Sequence, residues 1–101
     1  MIPFTQYLLP DGEKRQVSVE RSTEIEALAH KVRLIGGRFE IELLRTGDVS
    51  LECLIRGDDP QVLSSAICSN GPGIELVVDS IVEQAYSSAV SRGLLQAVEE
   101  E

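Results

Sequence analysis

The sequence predicts an α+β domain: a two-layer sandwich with a mostly antiparallel sheet of about five strands and two helices on one face, in the order β-β-α-β-β-β-α. Three observations carry this expectation. Pro10-Asp11-Gly12 and Arg45-Thr46-Gly47 each separate two apolar-patterned runs, and each reads as a three-residue hairpin loop whose last residue is a glycine able to adopt a left-handed backbone. The strand-like runs alternate apolar and polar residues, which fits a sheet covered on one face only. Two other segments, 25–35 and 74–89, repeat their apolar residues at helical spacing.

Taken in order, residues 4–9 and 14–20 form the first hairpin. A three-residue loop sets Tyr7 opposite Arg15, Thr5 opposite Val17 and Pro3 opposite Val19. Tyr7, Leu9, Val17 and Val19 then share the core face, and Phe4 and Leu8 fall on the other as an apolar strip. Thr23 with Glu26 forms a capping box for the first helix, in which each side chain satisfies an orphan backbone donor. Ile25, Leu28, Ala29, Val32 and Ile35 form its buried stripe, and Gly36-Gly37 ends it.

Residues 38–44 and 49–56 form the second hairpin. Its register pairs Leu43 with Val49, Ile41 with Leu51 and Phe39 with Cys53, an apolar face that a one-residue slip would destroy. On the polar face Glu40 meets Glu52, Glu42 meets Ser50 and Arg38 meets Leu54. Gly57-Asp58-Asp59-Pro60 turns the chain into a fifth strand, 61–69, with Val62, Ala66 and Cys68 on one face. With Arg56 opposite Gln61, Cys53 lies opposite Ser64 and Cys68 opposite Val49, too far apart for a disulfide. Asn70-Gly71-Pro72-Gly73 leads into the second helix, 74–91, with Ile74, Val77, Val78, Ile81, Ala85 and Ala89 inward and Gly93 at its end. Residues 1–93 make one domain, and 94–101 are an acidic, frayed tail.

A chain of 101 residues is one domain by size and can bury roughly 65% of its unfolded surface. Hydrophobic residues make up 43% and charged residues 26%, as expected for a globular domain. The net charge of −8 is uneven: residues 1–56 hold nine acids and eight bases, whereas 57–101 hold eight acids and a single base, Arg92. This sign disfavours direct nucleic-acid binding, and four aromatics offer few stacking platforms. Two cysteines without CxxC or Cys/His spacing, no leader-like N-terminus and no apolar run long enough to span a bilayer point to a cytoplasmic setting without membrane contact.

No catalytic constellation, cofactor motif or metal-ligand spacing emerges. The lone His30 lies off the apolar stripe of its helix beside Glu26 and Arg33 and reads as a solvated surface residue. The glycine-rich turn at 70–73 lacks the Lys-Ser or Lys-Thr of a phosphate loop, and Glu75 would repel an anion there. Glu40, Glu42 and Glu52 form the most pointed cluster. Like charges directly opposite destabilise a strand pair. A divalent cation would relieve this, and so would Arg38 and Arg56, which flank the same face; three carboxylates on a flat sheet make a poor cation cage. Glu75, Asp79 and Glu83 line one side of the second helix at four-residue spacing, either as a solvated face or as a row that imitates nucleic-acid phosphates.

The expectation is a small non-catalytic module for protein interaction or self-association, possessing no cofactor. Its partner is another protein or its own copy as a homodimer. The surfaces named for this are Glu40, Glu42 and Glu52; Glu75, Asp79 and Glu83; and Phe4 with Leu8. The competing readings are a domain that binds a divalent cation or small ligand on the acidic sheet face, and an acidic nucleic-acid-mimicking inhibitor.

Overall fold

The computed structural model describes residues 1–8 and 12–95. Its elements are β1 (Ile2–Leu8), β2 (Glu13–Val19), α1 (Thr23–Leu34), β3 (Gly37–Leu43), β4 (Asp48–Ile55), β5 (Gln61–Ser69) and α2 (Ile74–Ser91), the α+β order that the sequence predicts. They build a five-stranded sheet in the order β2-β1-β3-β4-β5. All neighbours are antiparallel except β1 and β3, which run parallel with Thr5 beside Glu40 and Tyr7 beside Glu42. The chain thus returns from α1 to the inner side of the first hairpin, which leaves β2 at one edge and β5 at the other.

Strand alternation divides the sheet residues. Phe39 and Ile41 of β3 and Leu51 and Cys53 of β4 join Ile25, Ala29 and Val32 of α1 and Val78, Ile81, Val82, Ala85 and Ala89 of α2 in one core cluster. α1 packs on β3, α2 on β4 and β5, and the helices on each other. Glu40, between Phe39 and Ile41, therefore points away from this core. The second hairpin has the predicted register throughout, including Glu40 opposite Glu52.

The first hairpin differs from its expected register by one residue. Leu8 pairs with Glu13, Phe4 with Val17 and Ile2 with Val19, leaving a four-residue connection whose first three residues, 9–11, lie outside the described ones. The physical reason is the apolar inventory. This register sets Ile2 and Phe4 beside Val17 and Val19, whereas the three-residue loop would have set Pro3 and Thr5 there. Phe4 is consequently not part of an outer apolar strip: it is fully buried, its ring centroid 5.5 Å from that of Phe39. Tyr7 moves to the outer face in exchange.

Three local differences have similarly simple causes. The cap of α1 is Ser22, whose hydroxyl accepts from the Ile25 amide at 3.4 Å, and Glu26 reaches back one residue further, to the Arg21 amide at 3.2 Å. A bulge in β5 sets Leu54 opposite Val62 and Cys53 opposite Ser64, so Leu63 is the extra residue. It turns Leu63 into the core and Val62 out, 50% exposed, while Ala66 and Cys68 keep the expected alternation against the core. The same bulge sets Gln61 opposite Ile55 rather than Arg56. Finally, Leu94 and Leu95, assigned by sequence to the tail, pack against the core, and residues 96–101 lie outside the described ones.

Gly36 and Gly37 make the junction between α1 and β3 possible. Gly36 takes φ +97°, which any side chain would strain. A Cβ at Gly37 would collide with the Val32 side chain and stand 2.8 Å from the Val32 carbonyl oxygen. The pair thus both ends the helix and lets β3 start directly beneath it.

Candidate functional site: the outer face of the sheet

The outer face centres on Glu40. Although its side chain points away from the core, the residue is only 5% exposed, as deeply buried as Ile41 beside it at 6%. A carboxylate removed from water needs a charged or hydrogen-bonding partner. Arg56, immediately after β4, folds back over it. Arg56 Nη2 donates to both carboxylate oxygens, at 2.8 and 3.0 Å, and Nε donates at 3.3 Å. From the parallel neighbour β1, the Tyr7 hydroxyl donates to Glu40 Oε2 at 3.3 Å and accepts from Arg56 Nη2 at 3.5 Å. Lys14 of β2 stands 5.4 Å from the centroid of the Tyr7 ring, within cation–π range. Lys14, Tyr7, Glu40 and Arg56 therefore form a continuous polar chain across β2, β1, β3 and the end of β4.

The electrostatics follow from this geometry. The hydrogen bonds to Glu40, and then its charge, raise the pKa of the Arg56 guanidinium further above its ordinary value. This resolves the like-charge conflict expected between Glu40 and Glu52: Arg56 takes Glu40, as Arg38 does not. Arg38 instead lines a separate groove with His30 and Arg33. Glu42 is exposed and Glu52 half-buried, and neither has an ion pair among the described residues. Together with Ser50 these residues border a concavity of about 410 Å³. It presents two open carboxylates beside a neutralised one, with a guanidinium and an ammonium at its margins. Such a surface can accept hydrogen bonds from a basic or amide group. Among the described residues, no group of three or more His, Cys, Asp or Glu side chains is placed to hold a metal ion.

A further groove, of about 440 Å³, lies at the C-terminal end of α1. Its His30, Arg33 and Arg38 are exposed. Cations in the last turn of a helix are favoured by its dipole, which accounts for Arg33 without a ligand.

The acidic row on α2 is less bare than its sequence suggests. Arg21, just before α1, grips Asp79 with two bonds of 2.6 Å, from Nε to Oδ1 and from Nη2 to Oδ2, and its Nη1 lies 3.5 Å from Glu75. The bonds to Asp79 raise the Arg21 pKa. Only Glu83 of the three is exposed without an ion pair among the described residues. Asp79 thus ties α2 to the start of α1. Phe4 lies in the core, and Leu8 takes part in the β1–β2 ladder, with its side chain outside the described ones.

Neither cysteine is placed for nucleophilic chemistry. Burial pushes the Cys53 thiol up to about 12, and the Cys68 thiol is also raised, by burial first and by Asp48 second. Both are free. No helix is long and apolar enough to cross a membrane among the described residues.

Sequence reasoning brought together Glu40, Glu42, Glu52 and Arg56 but missed Tyr7 and Arg21. Tyr7 would have followed from weighing a four-residue first loop, which gathers Ile2, Phe4, Val17 and Val19. Nothing local marks Arg21 as the partner of a residue 58 positions away. Comparison of the chain with known protein families, with curated proteins and with solved structures gives no match.

Proposed function

We propose that this chain is a small protein-interaction module without chemistry of its own, and that its docking surface is the outer sheet face around Glu40. The observation that supports this reading is a carboxylate buried on the side away from the core and held by Arg56 and Tyr7. Ordering two long side chains over one acid has an entropic cost that a merely solvated sheet face does not require. The result is a rigid floor with Glu42 and Glu52 open above it. The partner that fits is a protein presenting lysine or arginine to these two carboxylates, with Arg56 and Lys14 setting the rim. Rim charges of this kind govern association rate and partner choice more than total affinity.

The test is affinity capture from the cells that make the protein, using three immobilised forms. One is wild type, one is Glu42→Lys with Glu52→Lys, and one is Glu24→Lys with Glu83→Lys, an equal charge change on exposed helix positions. The reading predicts a protein retained by the wild type and the helix variant but lost from the sheet-face variant. Equal retention by all three, or none by any, would contradict it.

A further inference from the structure

We propose that two copies of this chain associate through β5, joining their sheets edge to edge, with the adjoining flank of α2 extending the contact. This builds on the reading of the chain as an interaction module but uses a different surface, so it can fail while the Glu40 face still binds a partner.

The sheet has two edges, and they are built differently. β2 carries Glu13, Lys14 and Arg15, all exposed, and charges along an edge discourage pairing with another chain. β5 is the longest strand, and none of its nine residues is charged. Its outward-facing Val62 is 50% exposed and Ile67 67% exposed. One backbone acceptor at its start is taken, since Arg92 Nη2 donates to the Val62 carbonyl at 3.0 Å. From Ser64 to Ser69 the strand has β4 on one side and, among the described residues, no neighbouring strand on the other.

The flank of α2 beside this edge has the same character. Asp79 and Tyr86 face α1, where they meet Arg21 and Lys31. On the opposite side, Val77, Ser80, Gln84, Ser88 and Ser91 recur at three- and four-residue intervals, all uncharged. In a chain of net charge −8, this is a flank on which two copies can meet without opposing like charges. Its size is adequate as well. At roughly 3.3 Å per strand residue and 1.5 Å per helical residue, β5 and α2 each span about 30 Å. Two such layers side by side approach the roughly 800 Å² per partner of a standard interface. A second copy is self-complementary here because a two-fold axis sets β5 antiparallel to itself.

Sedimentation velocity over a range of concentrations tests this. Wild type is expected to form a reversible dimer of twice the 11.0 kDa chain mass. Ser65→Lys with Ile67→Lys places like charges along the seam, and the dimer is lost. The fold tolerates this change because position 65 lies opposite Glu52 and both sites are exposed. Ser18→Lys on the β2 edge leaves the dimer intact. Hydrogen exchange on the wild type gives an independent reading: β5 amides gain protection as concentration rises, and β2 amides do not. A wild type that stays monomeric, or a dimer that survives the paired lysines, would overturn the proposal. So would β5 amides protected equally at every dilution, which would mean that the chain covers its own edge.

Discussion

Ile41 and Glu40 are sequence neighbours on β3, buried to the same depth on opposite sides of the sheet, and the means of burial could hardly differ more. Ile41 lies in the apolar core cluster that residues of α1 and α2 complete and that also holds Phe39, Leu51 and Cys53. Glu40 is covered by Arg56, whose own side chain remains 52% exposed, and by the Tyr7 hydroxyl. The first kind of burial is part of the fold and cannot be removed without unfolding it. The second is a cover of two polar side chains over one acid, with the Arg56 side of it open to solvent. Burial depth alone therefore does not tell an apolar core position from a paired charge; what covers it does.

Substitutions on the two sides of the sheet separate these kinds of burial. On the core side, Leu51→Ala leaves a cavity in the fully buried layer between β4 and α2 and is expected to lose about 2–5 kcal/mol in denaturant unfolding. Gly37→Ala forces a methyl group against Val32 and is expected to lose about 1–3 kcal/mol, through overpacking rather than a cavity. A loss near zero for Leu51→Ala would mean that α2 is not seated on β4 as described, and for Gly37→Ala that α1 does not lie over the start of β3.

Cys53 probes the same dry layer through pH. Its folded-state thiol is raised from 9.0 to about 12, so the group is neutral in both states below pH 9 and its contribution to stability is complete there. As pH rises from 9 towards about 12, the unfolded thiol ionises while the folded one resists, and stability falls across that window. Cys53→Ser should flatten this part of the unfolding profile. In alkylation of the native protein, Cys68 reacts while Cys53 waits for unfolding. The smallest effect belongs to the outer rim. Glu42→Gln is expected to change stability by no more than about 0.5 kcal/mol, because Glu42 has no ion pair to lose among the described residues.

Legibility from sequence followed the same division. The second hairpin was readable to the residue because Phe39, Ile41, Leu43 and their partners leave one register with a coherent apolar face. The first hairpin was not, because its turn chemistry favoured three residues while the demand to bury Ile2 and Phe4 favoured four, and burial won. β5 shows the opposite failure: alternation predicted Val62 inward, and a bulge, which no side-chain pattern announces, reversed it. At the site, the facing glutamates were legible from register alone. Their resolution was not, since either Arg38 or Arg56 satisfies the charge and only the parallel placement of β1 brings Tyr7 to Glu40. The clamp of Arg21 on Asp79 depends wholly on how α2 docks beside α1.

A double-mutant cycle between Glu40 and Arg56 measures whether the outer face is ordered by this pair or is merely a solvated surface. Stability would be measured by denaturant unfolding for wild type, Glu40→Gln, Arg56→Ala and the double variant. Arg56→Ala is expected to be damaging when Glu40 is present and charged, because it leaves a buried carboxylate without its counter-charge, and much less so in the Glu40→Gln background. Additive losses, with Arg56→Ala equally costly or equally harmless in both backgrounds, would show that the two side chains act independently and that Arg56 does not hold the Glu40 carboxylate.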